Sequence, residues 1–367
     1  MNILLVSGPG ISLKEPYDSG IEAFIVSLAN ELTKQGHRVD VIAQEAEDDA
    51  KFNLVNPFKS AFTGSNSLLK RFVERRQFRK LDVAGYDIVH YNMFYPHLMA
   101  AGSHFRKQSV ITLHSPADKA RVQAYIKFAR LGDITFVAVS GRIKQQWDKA
   151  LGVATNLITN GVDTRLWGGP VSRNSRYLLW SARINKEKNV KAAINLAKRM
   201  GLPLKIAGRI ADQKYFDENV KPHLNDQIEY VGHVTQHELC SLAKNASAYL
   251  ATATWQEPFG LTALEMLASG VPVVGFDTAV PSDWAHESVL TTPEPSWEKL
   301  AELVIKSYTV SSDSCRAFAL NMDVQKMAAN YIRLYRGLLP KETPRHTGNM
   351  LKDQALPRVD PQFQAID

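Results

Sequence analysis

Residues 257–275 read EPFGLTALEMLASGVPVVG. Pro258 fixes the backbone just ahead of a helix start, and the spacing predicts a helix over about Phe259–Ser269. Gly260 lets a ligand approach the first turn closely. Free N–H groups there, together with the positive end of the helix dipole, make an anion site. Glu257 and Glu265 stand 8 residues apart, a little over two turns, so near one helix they share a side. One can sit at the mouth on a sugar while the other accepts hydroxyl protons from a ribose. The same spacing also fits an ordinary amphipathic helix with two solvated glutamates. Gly270-Val271-Pro272-Val273-Val274 then ends the helix and starts a buried strand over Val271–Gly275.

Outward from this stretch the chain repeats one rhythm. Strands are expected at Ile3–Val6, Val39–Ala43, Asp87–Tyr91, Val110–His114, Thr135–Val139 and Leu157–Thr159, and again at Tyr177–Ser181, Leu204–Ala207, Ile228–Val231 and Ala248–Ala251. Ile21, Phe24, Ile25, Leu28, Ala29 and Leu32 form the stripe of a helix packed on a sheet. Further helices are expected over Val190–Met200, Gln236–Lys244 and Met322–Leu338. Strand–helix–strand at this spacing means parallel β-α-β units with right-handed crossovers. Thr164–Arg176 breaks the pattern and reads as a linker. The 367 residues therefore divide into a first domain over 1–165, a second over 176–320, a C-terminal helix over 321–340 able to cross back to the first, and a polar tail over 341–367.

Composition narrows the function classes. Apolar residues at 45% and charged residues at 22% suit a globular protein. A net charge of +7 suits an anionic small molecule, a phosphorylated acceptor or an acidic membrane surface, and falls short of a dedicated nucleic-acid binder. Cys240 and Cys315 are too few for a disulfide framework or a cysteine zinc site, which points to a reducing compartment. The apolar opening Met1–Val6 is too short for a secretory signal and lacks a basic leader. No stretch approaches a membrane span, so a cytoplasmic enzyme is expected. Leu68–Leu81, LLKRFVERRQFRKL, sets Lys70, Arg71, Arg75, Arg76, Arg79 and Lys80 against Glu74. Such a helix can lie on an anionic bilayer or guide a lipid-linked acceptor; it also fits a solvated helix with a buried stripe.

The 257–275 stretch resembles the Glu-x7-Glu signature of retaining nucleotide-sugar glycosyltransferases with the GT-B fold, most like glycosyltransferase family 4. Other pieces agree in order: Ser19-Gly20-Ile21-Glu22 through Gly36-His37-Arg38-Val39, Val110–His114, Val137–Ser140, Asn160–Asp163, Ala182-Arg183 with Lys188-Asn189, and Ala207-Gly208. The resemblance implies an α/β architecture of two Rossmann-like doubly wound domains facing a central cleft. It further implies transfer of a sugar from a nucleoside-diphosphate donor, with UDP favoured, to an acceptor hydroxyl in glycan, glycolipid or glycoconjugate synthesis.

Catalytic positions implied by the resemblance are His114, Glu257, Arg183 and Lys188. Arg183 and Lys188 can neutralise a diphosphate leaving group; a pair of surface cations flanking a loop is the alternative. His114, at a strand end, is expected on the sugar. Donor-binding positions are Gly20, Gly208, Phe259, Gly260, Leu261 and Glu265; where the family carries paired glycines this chain has Ser19-Gly20. No two aspartates stand two apart, so no metal and no cofactor is expected. Two alternatives share the architecture: a nucleotide-sugar epimerase and a non-catalytic nucleotide-sugar-binding subunit.

Overall fold

A computed structural model describes residues 1–58, 67–102, 105, 107–170 and 177–340. The tail over 341–367 lies outside the described residues, as do 171–176 of the expected linker. Two compact units emerge. Unit 1 holds Met1–Lys14, Ile21–Thr159 and the chain from Ala328 onward; unit 2 holds Glu15–Gly20 and Asn160–Met327.

Each unit is built on one parallel sheet. In unit 1 the strands lie side by side in the order Asn53–Val55, Arg38–Ile42, Asn2–Val6, Ile88–Tyr91, Gln108–Leu113, Ile134–Ala138, Asn156–Leu157. In unit 2 the order is Ile228–Gly232, Leu204–Ala207, Tyr177–Ser181, Ala246–Ala251, Val273–Phe276, Val289–Thr292. Helices cover both faces of such sheets, so inner strands read as continuous apolar runs. Every residue of Tyr177–Ser181 and of Ala246–Ala251 is accordingly buried. In both units the earliest strand sits inside the sheet and the chain winds outward from it in two directions. That reversal opens a crevice beyond the carboxyl ends of two neighbouring strands, where α/β proteins bind ligands. In unit 2 these strands are Tyr177–Ser181 and Ala246–Ala251; in unit 1 they are Asn2–Val6 and Ile88–Tyr91.

Three expectations need correction. Thr164–Trp167 is not linker but a short helix: Asp163 caps it by accepting from the Arg165 amide, and Trp167 is buried. The helix of the 257–275 stretch is Leu261–Ala268, shorter than expected at its start. Gly260 takes a left-handed backbone, φ +78°, so Phe259 and Gly260 lie outside the helix. The last helix expected over Met322–Leu338 starts later, as Val324–Leu338, and Met322 lies in the turn that parts it from a separate helix, Ser312–Leu320.

Candidate active site

A cavity of about 150 Å3 opens at the crevice of unit 2. Its wall includes Ser181 and Ala182 at the end of one central strand, Ala251–Ala253 at the end of the next, and Gly20, Lys188, Glu257 and the Gly260–Ala263 turn. That volume suits a fragment such as a diphosphate better than a whole nucleotide sugar, whose sites run to several hundred Å3. The first amides of the Leu261–Ala268 helix have no intrahelical acceptor, and the residues that carry them line this wall. Gly260 earns its left-handed turn by position as well: a Cβ there would stand 3.3 Å from the Ala279 carbonyl oxygen.

Lys188 and Glu257 face each other in this cavity as an ion pair, with 14% and 13% of their side chains exposed. The loop carrying Lys188 is tied down. Its amide donates to Asn185 Oδ1 at 3.1 Å, while Thr252 Oγ1 donates to the carbonyls of Lys188 and Asn189 and accepts from Trp180 Nε1 at 2.9 Å. Glu257 is held from its backbone, whose N–H donates to the Thr278 carbonyl at 2.8 Å. Glu257 thus sits in the loop ahead of the helix and Glu265 inside the helix, so the two do not share a helix face.

Glu265 is buried on Leu261–Ala268 but does not line this cavity. Gln236 Nε2 donates to its Oε1 at 3.4 Å, and the Gln236 amide donates to Glu15 Oε2 at 2.8 Å. Burial pushes the Glu265 carboxyl up to about 8; the Gln236 hydrogen bond opposes this and the Glu15 charge adds to it. Phe259 is buried and packs edge-on against Trp284, ring centres 5.4 Å apart, so its side chain serves the core. Arg183 is half-buried just past the strand Tyr177–Ser181 and outside the lining. Gly208, with φ +130°, lets the Ala182 carbonyl come within 2.0 Å of where a Cβ would be, and its N–H is engaged by the Gly232 carbonyl at 2.8 Å.

His114 belongs to unit 1, one residue beyond the strand Gln108–Leu113. Asn92 Oδ1 lies 3.3 Å from its Nε2, and Phe24 meets the ring edge-on at 4.7 Å between centres. Burial lowers its pKa to about 3, so near neutral pH the ring is uncharged, and it acts as a hydrogen-bonding group rather than a cation. Next to it runs a buried hydroxyl–imidazole chain that no local pattern announces. Tyr335 OH lies 2.7 Å from His90 Nδ1, His90 Nε2 lies 2.7 Å from Thr112 Oγ1, and Thr112 Oγ1 lies 2.9 Å from Tyr331 OH. Sequence reasoning also passed over Trp255, whose indole N–H donates to Glu257 Oε1 at 2.8 Å. Its signal was available: an aromatic N–H donor two residues before a functional carboxylate.

The basic stretch forms the helix Ser67–Arg79. Glu74 and Phe78 turn inward, Glu74 to His97 Nε2 at 2.8 Å. The outward side carries Leu68, Leu69 and Phe72, exposed by 73%, 43% and 62%, beside the exposed Arg71, Arg75, Arg76 and Arg79. Among the described residues no helix is long and apolar enough to cross a membrane.

Known proteins match both halves of the chain. The family model "Glycosyltransferase Family 4" covers residues 19–166 and "Glycosyl transferases group 1" covers 168–321. Glycogen synthase of Mycobacterium tuberculosis is 33% identical over 127 residues, 32% of this chain and 30% of that protein. The chain thus spans under a third of the length of that curated relative. Among solved structures, a glycosyltransferase from Rickettsia africae matches with TM-score 0.73 and 15% identity over 92% of this chain and 98% of that one. Anabaena Alr3699/HepE in complex with UDP and glucose matches with TM-score 0.72 and 16% identity over 92% of this chain and 99% of that one. Two family models laid end to end, on two Rossmann-like sheets that follow solved glycosyltransferases over nine-tenths of the chain, place this protein among the GT-B glycosyltransferases of the group 1, family 4 type.

Proposed function

We propose that the protein is a retaining, metal-independent glycosyltransferase that moves a sugar from a UDP-sugar to an acceptor hydroxyl. The observation that carries this reading is the unit 2 cavity, where Lys188, Glu257 and the opening turn of Leu261–Ala268 converge at the strand-order reversal. UDP is favoured because a matching structure holds UDP and glucose.

In the proposed reaction the donor diphosphate takes the Lys188 ammonium and the amides of the Gly260–Ala263 turn, and Arg183 adds a second cation from the neighbouring loop. The developing charge on the departing phosphate is thereby neutralised by the chain's own cations and dipoles. Glu257 accepts from sugar hydroxyls. Glu265 accepts from ribose hydroxyls, and those donors favour its charged form against the burial that opposes it. By family resemblance the bond from the anomeric carbon to the phosphate oxygen breaks while the acceptor oxygen bonds to the same face. The acceptor proton passes to the departing phosphate oxygen. His114, neutral and anchored by Asn92 and Phe24, serves the reacting sugar in this assignment.

The acceptor side is proposed to work at an anionic membrane surface. Leu68, Leu69 and Phe72 would enter the interface while the surrounding arginines meet headgroup charge. Sedimentation with phosphatidylglycerol vesicles, and none with phosphatidylcholine vesicles, is the expected result; a Leu68→Ser/Phe72→Ser variant that sediments equally well argues against it.

A donor screen tests the whole reading: nucleotide release from UDP-, GDP- and ADP-sugars, with and without hydroxyl acceptors. Acceptor-dependent release of UDP with retained configuration is expected. Isomerisation of a donor in the absence of acceptor would instead make the protein an epimerase, and failure to bind any nucleoside diphosphate would leave a non-catalytic subunit.

A further inference from the structure

The two charged side chains that line the cavity face each other. Lys188 and Glu257 are paired with each other, yet the reading above sends the ammonium to a diphosphate and the carboxylate to sugar hydroxyls. Binding must therefore separate the pair. A diphosphate carries more charge than one carboxylate, so the ammonium follows it. Glu257 is then left in a mostly buried position without its cation. A carboxylate in that state swings toward water unless another donor holds its charge.

One such donor is already in contact. Trp255 stands in the loop between Ala246–Ala251 and Leu261–Ala268, and its Nε1–H donates at 2.8 Å to Glu257 Oε1, the oxygen that Lys188 also engages. The same indole ring carries the Lys188 ammonium 5.1 Å from its centre. Around it the backbone is pinned. The Glu257 amide is bound by the Thr278 carbonyl, Thr278 Oγ1 donates to the Ala253 carbonyl at 2.6 Å, and the Thr254 amide donates to the Glu187 carbonyl at 2.9 Å. An indole N–H is uncharged, so a diphosphate does not draw it away, and its ring leaves it only two side-chain torsions to lose.

Resting on that donor-site reading, we propose that Trp255 is a positioning residue. Beside the ion pair it shares Glu257 with Lys188 and offers the ammonium a ring face. In the loaded site its N–H goes on holding Oε1, so that Glu257 stays aimed at the donor sugar after Lys188 has gone to the phosphates.

Trp255→Phe keeps an aromatic ring and removes the N–H. Calorimetry with UDP alone and with the UDP-sugar turned over fastest separates the two halves of the donor. Hydrogen bonds to charged groups set the scale at roughly ten- to hundredfold. UDP affinity within about twofold of wild type is expected, with UDP-sugar affinity and kcat/KM reduced by roughly tenfold or more. Trp255→His, which restores a ring N–H, should recover part of both effects. Equal weakening of UDP and UDP-sugar, with a lowered melting temperature, would assign Trp255 to loop structure alone and overturn the proposal. So would a Trp255→Phe enzyme indistinguishable from wild type, which leaves the donor site itself intact. A wild-type protein that binds none of UDP, GDP and ADP fails the donor-site reading, and the Trp255 role falls with it.

Discussion

Glu265→Gln should make the protein more stable in alkaline solution while impairing it. A carboxyl ordinarily near 4.5 is raised to about 8 in the fold, chiefly by burial. The unfolded chain ionises this group freely above pH 4.5, whereas the folded chain resists until about 8. The stability cost of Glu265 is therefore absent below pH 4.5, grows as pH rises through that window, and levels off above 8. At about 1.4 kcal/mol per pH unit, the full cost is roughly 5 kcal/mol. Glutamine does not ionise, so the difference in unfolding free energy, variant minus wild type, should be small at pH 5 and climb to several kcal/mol by pH 9. Urea titrations at pH 5, 7 and 9 read this difference directly, because the other titrating groups cancel between the two proteins. Calorimetry on the same samples should show UDP affinity lowered by at least tenfold. A stability difference flat across this range, or a variant less stable at pH 9, would refute the reasoning that Glu265 is held against its own ionisation.

Three further outcomes follow from the geometry. Lys188→Ala removes one partner of a largely buried ion pair and should cost about 3–5 kcal/mol in unfolding free energy, together with most of the UDP affinity; melts and calorimetry measure the two losses separately. Gly208→Ala introduces a Cβ 2.0 Å from the Ala182 carbonyl at a φ of +130°, so a loss of about 1–3 kcal/mol is expected, and an unchanged melting temperature would speak against this close approach. Tyr335→Phe leaves buried His90 Nδ1 without its partner and should cost about 1–3 kcal/mol with UDP affinity unchanged, as denaturation and calorimetry would record.

What could be read from the chain depended on the range of the force involved. Tyr177–Ser181, Leu204–Ala207 and Val190–Met200 fall where expected, because strands buried on both faces and helices with one apolar stripe carry their burial in their own residues. The helix start at Leu261 was misplaced because one left-handed glycine, Gly260, outweighs the proline ahead of it. Thr164–Trp167 was hidden by the neighbouring Gly168-Gly169-Pro170, although the Asp163 cap and the large apolar Trp167 were both present to be read. Lys188 and Glu257 could be singled out by type, but not as partners. Their attraction across 69 positions leaves no periodicity, and neither does the bond between Tyr335 and His90 across 245.

That last separation bears on how the protein is made. Unit 1 holds the chain's opening residues and, from Ala328, the greater part of the helix Val324–Leu338. Tyr331 and Tyr335, both fully buried, complete the polar chain beneath its sheet. During synthesis the opening residues leave the ribosome well before their own last helix exists, while unit 2 emerges in between with nearly all of its residues in hand. Unit 2 is thus able to finish first. The polar chain through His90 and Thr112 cannot close until translation has passed Tyr335.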